Sequence, residues 1–142
     1  VQNRVGSRHM FYLDRGSGGI ALAAAEYLTL RHDAELAAFV AVVRDGCRPR
    51  YVREPGLVQG RAGIAALLPD LGGPGAPEAA REQVRWLALH AVRRDDALLI
   101  PGARLRRFSA DLATGSAGVL AAANHVLAGG PFPIPALLGG GL

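Results

Sequence analysis

A five-residue pattern that occurs three times constrains this chain most: Gly, any residue, a small residue, Gly, then a β-branched aliphatic residue. The copies are Gly16-Ser17-Gly18-Gly19-Ile20, Gly60-Arg61-Ala62-Gly63-Ile64 and Gly115-Ser116-Ala117-Gly118-Val119. Their first glycines, at 16, 60 and 115, lie 44 and 55 residues apart, a period that points to helical-hairpin repeats. Each copy opens a run with apolar residues at i, i+3, i+4 and i+7. The runs are Ile20, Ala23, Ala24, Tyr27, Leu28; then Ile64, Leu67, Leu68, Leu71; then Val119, Ala122, Ala123, Val126, Leu127. Two glycines one turn apart at a helix start let another backbone come close, and the first is free to take unusual dihedral angles. Three such starts imply one crowded ring of helix tips.

Further helices separate the copies. Asp33 is a plausible N-cap for a helix with Leu36, Phe39, Val40 and Val43 on its apolar face, stopped at Gly46. Another is expected from about Pro77 to Arg94, with Glu78 and Glu82 near its positive end and Val84, Leu87, Ala88 and Ala91 as its stripe. The longer gap before the third copy reads as a short hairpin: Leu98-Leu99-Ile100, then Pro101-Gly102, then Leu105 to Phe108. The Gly- and Pro-rich stretch 129–142 is expected to be irregular. The fold class is therefore all-α: a partial α/α toroid of about three inner-helix repeats, with a β-hairpin before the last helix. Three inner helices are too few to close a ring, and repeats bury their faces only against neighbours. Residues 1–142 thus read as the C-terminal fragment of a longer domain.

Composition supports helices: half the residues are hydrophobic and only 6% are aromatic, a poor match to a β-sandwich. All 16 basic residues are arginine, for a net charge of +4. They are scattered, adjacent only at Arg93-Arg94 and Arg106-Arg107, and lack the aromatic-interleaved basic stripe of a nucleic-acid binder. No apolar run approaches the ~20 residues of a membrane span. A single cysteine, Cys47, excludes an internal disulfide and a multi-cysteine metal site, which suits a cytoplasmic location.

Three stretches carry a resemblance: Tyr12-Leu13-Asp14-Arg15-Gly16-Ser17-Gly18-Gly19-Ile20-Ala21-Leu22-Ala23, Arg53-Glu54-Pro55-Gly56-Leu57-Val58-Gln59-Gly60-Arg61-Ala62-Gly63 and Asp111-Leu112-Ala113-Thr114-Gly115-Ser116-Ala117-Gly118-Val119-Leu120. From about Phe11 to Leu127 the chain resembles the C-terminal cyclase-like domain of class III lanthionine synthetases, enzymes with lyase, kinase and cyclase domains. The resemblance implies a toroid with inner and outer helix rings. It also implies a role in adding peptide cysteine thiols to dehydroamino acids, giving a thioether or the carbocycle labionin. The implied partners are a ribosomally made precursor peptide and upstream kinase and lyase domains of the same chain; self-association is also compatible. Zinc-dependent relatives carry Cys, Cys and His at positions that fall here on Asp14, Val58 and Gln59, a set unable to supply thiolates and imidazole. No metal and no cofactor is expected in this segment.

The residues before each glycine pair should rim the central hollow. Conjugate addition needs a thiolate and a proton for the resulting enolate. Arg15 is placed to stabilise negative charge and Asp14 to orient Arg15 or shuttle a proton; the plainer alternative is that Asp14 caps its helix and pairs with Arg15. His90, read as mid-helix, is a candidate acid or base, or else a packed structural histidine. Arg53, Gln59 and Thr114 are candidate peptide-binding groups at the rim; a local salt bridge or loop-amide contacts are the alternatives. His32 and His125 suit helix ends. Trp86 reads as core, and Cys47 as a small buried hydrophobe without a histidine to activate it. A non-catalytic scaffold for the precursor peptide or the kinase domain is the alternative function.

Overall fold

The computed structural model describes residues 10–134. The chain forms α1 (Ser17–Leu30), α2 (Ala34–Gly46), α3 (Arg61–Leu71) and α4 (Ala76–Leu87), then strands β1 (Val92–Arg94) and β2 (Ala97–Leu99), then α5 (Ser116–Ala128). The three glycine-led segments are all helices. α3 lies centrally, packed on α1 and α5, with α2 against α1 and α4 against α3 and α5. The architecture is mostly helical with one small antiparallel hairpin.

Each helix follows from local chemistry. Asp33 caps α2, its Oδ1 accepting from the backbone N–H of Glu35 and Leu36 at 3.0 Å each. Pro77 sits in the first turn of α4, where its missing N–H costs nothing. α3 is buried all round from Arg61 to Leu68, so it forms the shared wall of two cores. One gathers Ala21, Val40, Val43, Ile64, Leu67, Leu68 and Ala80. The other gathers Leu22, Leu57, Leu87, Ile100, Val119, Ala122 and Phe132. Leu13 touches both.

Several expectations need correction. The helix expected to run to Arg94 ends at Leu87, continues as a single 3₁₀ turn over Ala88–His90, and gives way to β1. The hairpin therefore pairs Val92 with Leu99, Arg93 with Leu98 and Arg94 with Ala97, earlier than the sequence suggested. Asp95, at φ 52, makes the tight turn. Of the expected pairing across Pro101-Gly102, one bridge remains, Pro101 to Phe108. On α1 the apolar stripe is displaced: Gly18, Ala21, Leu22 and Ala24 are buried while Ile20 is 65% exposed. That helix is apolar on nearly every side, so periodicity alone could not choose its buried face. Trp86 is half-buried rather than core. Its ring lies 6.0 Å from the guanidinium carbon of the buried Arg61. Gly129–Ile134 carry no helix or strand, and 135–142, the remainder of the stretch expected to be irregular, lie outside the described residues.

Candidate functional site

The three glycine pairs build one construction three times. The first helical N–H of each repeat donates to a carbonyl seven residues upstream: Ser17 to Met10 at 2.9 Å, Arg61 to Glu54 at 2.9 Å, Ser116 to Ser109 at 2.8 Å. Each preceding loop thus folds tightly over its own helix start. A Cβ on the second glycine, Gly19, Gly63 or Gly118, would run into the carbonyl oxygen of Leu13, Leu57 or Leu112 respectively. A Cβ on Gly16 or Gly115 would meet the carbonyl of Met10 or Ser109, and on Gly60 the backbone of Gly56. Close approach is the reason for glycine here. The expectation of unusual dihedrals fails, because Gly16, Gly60 and Gly115 are extended, at φ −152, −166 and −101.

The loops are also fastened to one another through their main chains. Leu13 N–H donates to Val58 C=O at 3.2 Å, and Val58 N–H donates to Ala113 C=O at 3.0 Å. This short ladder brings the residues before the three helices into one row. Asp14, Gln59 and Thr114 are thereby held at neighbouring tips.

At the first two tips the side chains meet directly. Gln59 Nε2 donates to Asp14 Oδ2, and Arg15 Nε lies 3.7 Å from the same oxygen. Among the described residues no three His, Cys, Asp or Glu side chains converge as metal ligands. Arg15 extends outward, its side chain 79% exposed.

Beside this pair is a cavity of about 130 Å³, lined by Glu54, Gly56, Gln59, Ala103, Arg104, Ala113 and Thr114. Glu54 Oε2 accepts the backbone N–H of Arg104 at 3.0 Å, and Arg53 Nε lies 3.5 Å from Glu54 Oε1. Arg53 thus forms a local ion pair. Arg104 and Leu105 both hold left-handed backbone, at φ 58 and 57, a strained arrangement for two consecutive non-glycine residues. At the third tip Asp111 gathers the donors: Thr114 N–H at 2.7 Å, Thr114 Oγ1 at 2.9 Å and Ser109 Oγ. These bonds, the Ser109 hydroxyl first, hold the Asp111 carboxyl far below the usual carboxylate range.

Of the residues singled out from sequence, Asp14, Arg15, Gln59 and Thr114 share this row of tips, and Arg53 reaches it through Glu54. His90 does not line the cavity. It sits in the 3₁₀ turn after α4, where burial first and the nearby Arg61 second lower its pKa, opposed by Glu54 and a backbone contact with Val52. Asp111 and Ser109 were not singled out as site residues. The Ser109-x-Asp111-x-x-Thr114 spacing, suited to a local side-chain-capped turn, was the available signal. Cys47 is fully buried, and desolvation pushes its thiol up to about 12. It stands as a structural hydrophobe.

Two pairings outside the site hold the scaffold. Arg61 donates to Gln83 Oε1, Pro49 C=O and Arg50 C=O, tying the segment before Glu54 to α4. His125 bridges Asp70 Oδ2 at 2.9 Å and Gly130 C=O at 2.7 Å, which fixes the chain after α5 to the end of α3.

Comparison with known proteins places this geometry in context. The chain is 37% identical over 135 residues to the "Probable SapB synthase" of Streptomyces coelicolor, a match spanning 93% of this chain and 14% of that protein. No model of a protein family matches the chain, and no solved structure matches it.

Proposed function

We propose that this chain is a zinc-free, cyclase-like part of a lanthipeptide synthetase, supporting addition of peptide cysteine thiols to dehydroamino acids. The supporting observation is the row of polar tips, Asp14, Gln59 and Thr114, beside a cavity, in a chain 93% of which is similar to 14% of a probable SapB synthase. Side-by-side packing of the glycine-led helices on α3 supports their assignment as inner helices of a toroid whose other repeats belong to a longer chain. That longer chain would carry the kinase and lyase domains and work in the cytoplasm on a ribosomally made precursor. In the addition the thiolate sulfur bonds to the β-carbon, and a proton ends on the α-carbon. Asp14, hydrogen-bonded by Gln59 and flanked by Arg15, is the group placed to relay that proton, and Arg15 to offset the enolate charge.

A scaffold role is the second reading. It is favoured by the exposure of Arg15 and by the position of His90 away from the cavity lining. The two readings separate in a synthetase carrying Asp14→Ala with Arg15→Ala. A catalytic role requires that dehydration of the precursor continues while ring closure falls at least tenfold, as mass spectrometry with thiol alkylation would read. Equal loss of both steps assigns the segment to scaffolding.

A further inference from the structure

We infer that the knuckle over residues 103–108, whose Ala103 and Arg104 line the cavity between the second and third tips, docks an acidic segment of the peptide substrate. The inference rests on the peptide-binding reading of the tips and deepens it by naming the charge of the segment bound and the place where it lies. The knuckle is fastened by its main chain. Gly102 N–H donates to Arg107 C=O at 2.8 Å, Leu105 N–H donates to Gly102 C=O at 2.9 Å, and Pro101 bridges Phe108. Glu54 Oε2 anchors it to the second tip by accepting Arg104 N–H at 3.0 Å. All of residues 103–108 are exposed. Arg104 and Leu105 hold left-handed backbone, at φ 58 and 57, where glycine or asparagine would cost less. Arginine and leucine there do not serve the turn, and the strain points to what their side chains meet.

Among the described residues, the guanidinium groups of Arg104, Arg106 and Arg107 have no ion-pair or hydrogen-bond partner. Other arginines are spent on the frame: Arg44 pairs with Asp45, Arg53 with Glu54, and Arg61 with Gln83. No acidic residue occurs over 97–110. The flanking carboxylates are engaged, Glu54 by Arg53 and the Arg104 N–H, Asp111 by Ser109 and Thr114. Three like charges within positions 104–107 therefore repel one another with nothing of the chain's own to offset them. Carboxylates of a partner would, through charge-assisted bonds to the guanidinium forks. Leu105 and Phe108, 44% and 45% exposed, lie among these charges and give aliphatic side chains of a peptide something to pack on. A single aromatic ring offers no row of stacking platforms for bases, so the surface suits an acidic peptide better than a nucleic acid.

The test titrates the whole chain with an N-acetylated, C-amidated peptide of sequence Leu-Glu-Glu-Leu-Glu-Glu, followed by backbone amide NMR. The peptide should shift the Arg104, Leu105 and Arg107 signals saturably, and its analogue with glutamine for every glutamate should bind at least fivefold more weakly. Arg106→Ala with Arg107→Ala should weaken the acidic peptide roughly fivefold, in keeping with two lost exposed ion pairs. Arg93→Ala with Arg94→Ala is the control: these arginines are equally exposed, lie beside Asp95 and Asp96 and do not line the cavity, so binding should stay within about twofold. Equal binding of the glutamine peptide overturns the proposal, as does a loss from the control pair as large as from the knuckle pair. A hexathymidylate that binds tenfold more tightly than the acidic peptide overturns it in favour of nucleic acid. Ring closure plays no part in these titrations, so their failure is distinct from failure of the cyclase reading.

Discussion

At the scale of single residues, the glycines fall into two kinds that sequence alone does not separate. Gly63 and Gly118 stand where a side chain would strike backbone carbonyls of the loop above. Gly129, by contrast, has φ 66 and open space around it. Gly63→Ala should therefore cost roughly 3 kcal/mol, the upper part of the usual overpacking range, and Gly129→Ala only about 1 kcal/mol of backbone strain. Urea unfolding midpoints of the two variants would measure the contrast. Asp111 gives a pH signature. Its folded-state pKa is depressed, so the stability it contributes is present above the unfolded carboxylate value of about 3.9 and is lost as pH falls through the folded value. The stability difference between the parent chain and Asp111→Ala should shrink on acidification below pH ~4, read by unfolding curves from pH 6 to 3. Cys47, with its thiol near 12 and no exposure, should resist an aromatic disulfide reagent at pH 8 until the chain unfolds.

At the scale of elements, legibility depended on whether a segment had one clear apolar side. α2 did: its Asp33 cap, its end at Gly46 and its buried Val40 and Val43 were all readable. α3 gave the right residues, Ile64, Leu67, Leu68 and Leu71, but not its burial on every side. Nor was the burial of Arg61 visible in the sequence. The site was readable to a similar degree. The tips Asp14, Gln59 and Thr114 followed from counting back from the glycines, whereas Glu54 enters only because residues 103–104 fold back across 50 positions of sequence. His90 was misplaced because the stripe Val84, Leu87, Ala88, Ala91 continues past Leu87, where α4 gives way to the 3₁₀ turn. Arg61 belongs to this scale, since its fork joins the start of α3 to α4 and to the Pro49–Arg50 carbonyls. Lysine keeps the charge but not the fork. Arg61→Lys should cost about 2 kcal/mol, in line with losing hydrogen bonds from a charged group, as chemical denaturation would show.

At the scale of the whole molecule, the repeat register explains which surfaces are apolar. Ile64 and Leu71 on α3 are 2% and 6% exposed; their equivalents on α1, counted from the glycines, are Ile20 and Tyr27, both exposed. The same positions on α5 are Val119, buried, and Val126, half-buried. Ile20 and Tyr27 are thus exposed on α1 where their equivalents on α3 and α5 are covered, although Ala24 of the same α1 stripe is buried. The loops are laced together by peptide groups from Leu13 through Val58 to Ala113, and the Gln59 side chain adds a bond to Asp14 between the first two. Exchanging Asp14, Gln59 or Thr114 for other residues leaves the peptide bonds between the loops in place. A scaffold of this kind can drop one chemistry and adopt another without having to be rebuilt.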